Sequence, residues 1–422
     1  MQTAGRASFL SGLARTDTGR AAGLGVAVIG ANVIALVFTV VFARLLGATD
    51  YGSLAALMSA FIILMVPGSA LQIAVAREVS ASLAGDEARA GAGVRRWVGR
   101  LLLGAVLLTL AAVPLRHVLA AVLNVEQEWA AAAVPLTAAI WMALSVERGA
   151  LQGFQRYKLV AWSIVGEAAA RLGFGLLLVS VGLGVTGAFL GTALSLVAVG
   201  LALARSLATH LPDVDGGTLR GLLAGAGVPV LALTLLFGLQ EVHVIVVKHQ
   251  VDGDAAGAYA VAAVAAKAIV WVAVGLAMYL LPETARRSRA GEDPQPILLR
   301  ALALVAVAAV PMVLLYAVAG KPLLGAVFGD DLTEASGALP WLGLAMALLA
   351  CAHLSVQYLL AMGHRRFVAL LAAAAVAEVV VLLAVGADLT GIAVALFGIQ
   401  CACAAFVLTD ALRTRTPRQP PG

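Results

Sequence analysis

Leu101–Val113 reads LLLGAVLLTLAAV, and Ala372–Val385 reads AAAAVAEVVVLLAV. Neither stretch alternates in polarity, and each belongs to a longer apolar run of the length that crosses a bilayer as a helix, about 20 residues. Strands of a membrane barrel would instead run for about ten residues with alternating polarity. The rest of the chain repeats the pattern. Of its 422 residues 62% are hydrophobic and 12% charged, with a mean hydropathy of +1.00. A soluble domain carries about 25% charged residues, so half of the usual water-facing chemistry is missing. The sequence predicts an all-α polytopic membrane protein.

Apolar runs between charge clusters place twelve spans, at 22–43, 52–76, 97–116, 129–151, 159–181, 184–204, 221–247, 256–281, 297–319, 337–360, 367–386 and 390–410. Their connections are short and leave no room for a soluble domain, and no GxxxxGK[ST] phosphate loop is present. Energy for transport must therefore come from a gradient or from the cargo. Lys and Arg fix the orientation. The side holding both termini and the even-numbered loops has 22 of them, against 4 on the other side, with Arg171 and Lys267 inside spans. Both termini are expected in the cytoplasm.

A repeat runs through the chain. Gly153-Phe-Gln-Arg156-Tyr157 after span 4 corresponds to Gly363-His-Arg-Arg366-Phe367 after span 10. Arg44 to Gly52 after span 1 corresponds to Lys248 to Gly257 after span 7, and Glu167 corresponds to Glu378. Offsets of 205 to 211 residues are half the chain, which predicts two six-helix bundles related by a pseudo-two-fold axis along the membrane normal. The expected divisions are 1–210 and 211–412, followed by a basic, Pro-rich, disordered tail at 413–422. Such repeats usually hold a substrate path between them.

The stretch Phe42-Ala-Arg-Leu-Leu-Gly-Ala-Thr-Asp-Tyr-Gly-Ser53 resembles the hairpin signature of the polysaccharide-biosynthesis, O-antigen-type flippases. These belong to the multidrug/oligosaccharidyl-lipid/polysaccharide flippase superfamily. Gln152-Gly-Phe-Gln-Arg-Tyr157 is similar to that family's Gly-aromatic-basic turn. The resemblance implies two helix bundles around a cavity that opens alternately to either side. The implied cargo is an undecaprenyl-pyrophosphate oligosaccharide passed to the outer leaflet of the bacterial plasma membrane. It also implies a coupling ion, H⁺ or Na⁺, and pathway partners, a polysaccharide polymerase and glycosyltransferases; no cofactor and no nucleic acid enter. Lipid II flippases of the superfamily usually carry fourteen spans, so twelve favours the shorter polysaccharide type. The alternative reading is a cation-coupled multidrug exporter of the same architecture.

Ionisable groups at bilayer depth are costly and become functional candidates by default. Arg171, Lys267, Arg44, Arg77, Arg148 and Lys248 are the candidate substrate-binding cations, because a pyrophosphate crossing the membrane needs donors that replace its water. Span-end members of that set also fit snorkelling to headgroups. Glu167, Glu241 and Glu378 are the candidate ion-coupling acids. Glu167 and Arg171 lie four apart on one helical face, as a packing pair or a working pair. Glu241 is placed to pair with Lys267 on the next helix. Glu378 has no cation nearby in sequence, and an acid alone in apolar surroundings favours its neutral form, which suits a proton carrier. Pro67 and Pro229 are candidate bending points. Cys351, Cys401 and Cys403 form no metal-binding spacing.

Overall fold

A computed structural model of the chain describes residues 17–82, 87–208 and 227–414. The expected tail beyond Thr414 and the first residues of span 7, 221–226, lie outside the described residues. The elements are α1 (Asp17–Ser82), α2 (Glu87–Ala112), α3 (Arg116–Leu123), α4 (Glu128–Gly153), α5 (Tyr157–Leu178) and α6 (Gly184–Ala208). They continue with α7 (Gly227–Gln250), α8 (Gly253–Arg289), α9 (Gln295–Phe328), α10 (Leu339–Ala361), α11 (Phe367–Val385) and α12 (Leu389–Arg413). No strand occurs among the described residues. That follows from the medium, since a helix satisfies its own backbone groups where no water can.

Nine of the described helical stretches are long and apolar enough to cross a membrane, or ten if the bent pair α2–α3 is one span. Two of them, Leu24–Ser80 and Tyr157–Leu207, are far longer than one crossing needs, at 57 and 51 residues. The first is broken at Gly47, where φ is 76°, a conformation glycine reaches without steric penalty. The second is broken at Gly182 and Gly184, again with positive φ. Counting each as two brings the ten to the twelve expected. Pro114 sits in the short break where α2 turns through 85° into α3. Pro229 lies two residues into the described part of α7, and the start of its span falls outside the described residues. Large side chains such as Leu103, Leu110, Val310, Val318 and Val380 are exposed, as a surface solvated by lipid requires.

The chain packs as two units. One takes its described residues from Met1–Phe42 and Leu64–Gly227, the other from Ala43–Ile63 and Val228–Gly422. In the first, α5 packs on α6, and α4 on both α2 and α6. In the second, α10 packs on α8, α9 and α12, and α11 on α12. The expected boundary at 210/211 is therefore crossed by one segment, because Ala43–Ile63 packs with the second unit. The contacts show why. A Cβ on Gly257 would stand 1.9 Å from the Ala48 carbonyl oxygen, and one on Gly52 would stand 3.0 Å from the Gly257 nitrogen. The Thr49 hydroxyl also donates to Asp254 Oδ1. Only glycines admit backbones this close, and Thr49/Asp254 and Gly52/Gly257 are separated by the repeat spacing read from the sequence.

Candidate functional site

In the first unit, charge collects where α4 crosses α5. Arg148 is 3% exposed. Its Nε donates to Ser163 Oγ at 3.0 Å, and its Nη2 to the Ser163 carbonyl and to Glu167 Oε2, both at 3.0 Å. Its guanidinium also lies over the Trp141 ring, 5.3 Å from the centroid. The other Glu167 oxygen accepts from Arg171 Nη2, one turn further along α5. One carboxylate thus serves two guanidiniums. They are not equivalent. Arg148 is sealed in, whereas the Arg171 side chain is 19% exposed and its buried Nε–H has no hydrogen-bond partner. A donor left unpaired in apolar surroundings costs about 1–3 kcal/mol, and an anion reaching Arg171 would remove that cost.

In the second unit the pair expected between consecutive helices is present. Lys267 Nζ on α8 donates to Glu241 Oε2 on α7 at 2.7 Å. Ser59 Oγ adds a 2.8 Å bond to the same oxygen, and Gln240 Nε2 a 3.0 Å bond to the other. Glu241 is 1% exposed and fully partnered. Glu378 on α11 differs. It is wholly buried, and its Oε2 accepts from Gln400 Nε2 of α12 at 3.1 Å. Its Oε1 and the Gln400 Oε1 have no partner. The same Gln400 amide donates to the Leu239 carbonyl of α7 at 3.2 Å. Buried His243 shares a 3.0 Å hydrogen bond with the Tyr259 hydroxyl, and His353 packs edge-on against Phe237.

The six candidate cations are divided between the units. Arg77, Arg148 and Arg171 lie in the first, and Arg44, Lys248 and Lys267 in the second. Arg44 is exposed, and its guanidinium caps the carbonyls of Val327 and Ala326 at 3.0 and 2.7 Å at the end of α9. Arg77 is exposed, and Lys248 is buried in the last turn of α7. Among the described residues no cluster of His, Cys, Asp or Glu is arranged to hold a metal ion, and the three cysteines are free.

Sequence reasoning missed Glu147. It is 5% exposed and its Oε2 is buried without a partner. The signal was available, since span 4 was placed at 129–151 and an acid at 147 falls inside it. In sequence the adjacent Arg148 makes the pair look self-neutralising. In fact the two side chains leave α4 about 100° apart, as neighbouring helical residues must, and Arg148 turns to α5. Ser59, Ser163 and Gln400 were also missed, because uncharged hydrogen-bond partners have no sequence pattern of their own.

Outside the spans one carboxyl is strongly perturbed. Glu283, near the end of α8, accepts from Arg286 and Arg287. The Arg286 hydrogen bonds, then those of Arg287, lower it from the ordinary 4.5 to about 2.

Residues 21–215, which include Arg148, Glu167 and Arg171, match the family described as "Polysaccharide biosynthesis protein". No curated protein sequence matches the chain. Among solved structures, the chain is similar to the lipid II flippase MurJ in an inward closed conformation. The TM-score is 0.74 at 13% identity, covering 93% of this chain and 87% of that one. An inward-facing multidrug-resistance MATE transporter of the MOP superfamily gives 0.72 at 14% identity, covering 90% and 94%. A MOP superfamily transporter from Pyrococcus furiosus, described by the reversed polarity of its binding pocket, gives 0.59 at 14% identity, covering 95% and 97%. Over residues 21–215 the chain thus matches the family model of the polysaccharide biosynthesis proteins, and its fold is similar to that of solved MOP superfamily transporters.

Proposed function

We propose that the protein is a flippase. It moves an undecaprenyl-pyrophosphate-linked oligosaccharide from the cytoplasmic to the outer leaflet by alternating access, in a bacterial plasma membrane with both termini inside. The observation that carries the reading is Arg171, a partly exposed guanidinium with a free Nε–H, sharing its only acid with Arg148. Two cations against one carboxylate leave a site short of negative charge. A pyrophosphate supplies it, and guanidinium geometry suits phosphate oxygens. An exporter of cationic drugs would need the opposite imbalance. The family match falls on the stretch that contains this site, and a similarly folded neighbour is named as a lipid II flippase.

Coupling falls to the acids by their partners. Glu167 is paired with Arg148 and Arg171, and Glu241 with Lys267. Glu378 has no cation partner and an open oxygen, and it is the proton or Na⁺ carrier of the second unit. The test is leaflet-resolved detection of undecaprenyl-linked oligosaccharide in cells with and without the gene. Deletion should trap cargo in the cytoplasmic leaflet, the wild-type gene should cure it, and Arg171→Ala should reach normal membrane abundance without curing it. Normal leaflet distribution in the deletion, with the assembly pathway active and no redundant flippase, would transfer the assignment to the drug exporter.

A further inference from the structure

We propose that Glu147 is a proton-binding site in the first unit, and that its proton sets the affinity of Arg171 for an anion. The inference rests on the flippase reading only for the identity of that anion. Glu147 and Arg148 are neighbours on α4 but serve different faces. Arg148 engages α5, whereas Glu147 looks toward α6, where a Cβ added to Gly200 would sit 3.7 Å from its Oε2. Gly200 leaves the carboxyl its space and offers it no donor. Oε2 is buried with no hydrogen bond, and the adjacent Arg148 has its Nε and Nη2 committed to Ser163 and Glu167. An ionised carboxylate in this setting would be uncompensated, and the group is far cheaper to bury neutral, with its proton on.

The charged groups that bear on Glu147 are few. Arg148 feels Glu147, Glu167 and Arg171 together, and Arg96 and Arg100 of α2 and Arg205 of α6 are exposed. With Glu147 protonated, Arg148, Arg171 and Glu167 carry one net positive charge. Glu167 is then divided between two guanidiniums, and Arg171 is the looser of them. When Glu147 loses its proton to water, the cluster becomes neutral and Arg148 gains a second carboxylate one residue away. Arg148 then draws on Glu167 less, Glu167 holds Arg171 more fully, and an anion at Arg171 must compete with it. Proton and anion binding are therefore coupled with positive sign, and each strengthens the other by the same factor.

The experiment uses the full-length protein in lipid nanodiscs, with a short polyprenyl pyrophosphate as probe. Wild-type affinity should rise about tenfold between about pH 8 and about pH 6. Glu147→Gln should bind at both pH values as tightly as wild type does at the lower one. Glu147→Leu, which suits the apolar surroundings and guards against misfolding of the first variant, should behave alike. Infrared difference spectroscopy on a pH step provides a readout independent of cargo, as a protonated carboxylic C=O component that wild type shows and both variants lack, beside any Glu378 signal common to all three. The proposal is overturned if both variants keep the wild-type pH dependence or keep that component. If wild type shows the Glu147 band but binds no pyrophosphate lipid at either pH, the cargo reading fails while the proton site stands.

Discussion

Replacing Lys267 by Met is the sharpest test of how the second unit tolerates charge. Lys267 and Glu241 are 9% and 1% exposed in their side chains. Met keeps most of the Lys stem and removes the charge. Glu241 would then be a buried carboxylate held by Ser59 Oγ and Gln240 Nε2 alone. Breaking a buried ion pair from one side costs about 3–5 kcal/mol. Two neutral donors to a charged acceptor recover part of that, so about 3 kcal/mol is expected. The assay is thermal unfolding of the purified protein, followed with a double-mutant cycle through Glu241→Gln. The double variant K267M/E241Q buries no uncompensated charge and should regain most of the lost stability, since replacing both ions is often close to neutral. Additive losses, or a K267M variant within about 1 kcal/mol of wild type, would refute the reasoning, because no energetically coupled pair would then exist. The double variant also decides the role of the pair. If it is stable and passes the leaflet assay of the proposed function, Lys267 is a packing residue and not a cargo contact.

Three other outcomes follow from single contacts. Gly257→Ala should lower folded yield or transport, because its Cβ would stand 1.9 Å from the Ala48 oxygen; Gly398→Ala, with nothing within 4 Å, should be neutral or slightly stabilising in the same expression and unfolding assays. Arg148→Lys should destabilise more than Arg171→Lys in thermal unfolding, since one ammonium cannot reproduce the fork that reaches Ser163 and Glu167 together. Glu283 tests electrostatics outside the membrane. Its carboxyl is lowered from 4.5 to about 2 by Arg286 and Arg287, so its contribution is present in full above about pH 4.5 and disappears as pH falls through about 2. The melting-temperature difference between wild type and Glu283→Gln should accordingly be constant at neutral pH and shrink toward zero in strong acid.

The helices and their order were legible because the bilayer reduces the problem to length and polarity. Breaks between spans were legible where glycine and charge marked them, at Gly47 and at Gly182–Gly184. What was not legible is which helices pack together. The repeat placed the division near residue 210, and hydropathy gave no hint that Ala43–Ile63 would leave its sequence neighbours. That choice depends on two glycines more than 200 residues apart touching backbone to backbone, and single-sequence periodicity carries no such information.

Residue type alone does not order the buried acids. Glu167, Glu241 and Glu378 look alike in sequence, each an acid in an apolar span, and Glu147 stands beside an Arg. Their partners separate them. Glu167 has two cations and Glu241 a cation with two neutral donors, so both are committed to holding helices together. Glu147 and Glu378 each keep an oxygen with no partner, one in each unit. A group that must gain and lose a proton cannot also be the anchor of a buried ion pair, because its neutral state would strand the partner cation at a cost of several kcal/mol. Under the proposed function, proton chemistry falls to the acids with unfilled valence, and cargo chemistry to the cation with an unfilled donor. By that criterion Arg171 is the residue of the first unit at which an anion gains most and the fold loses least.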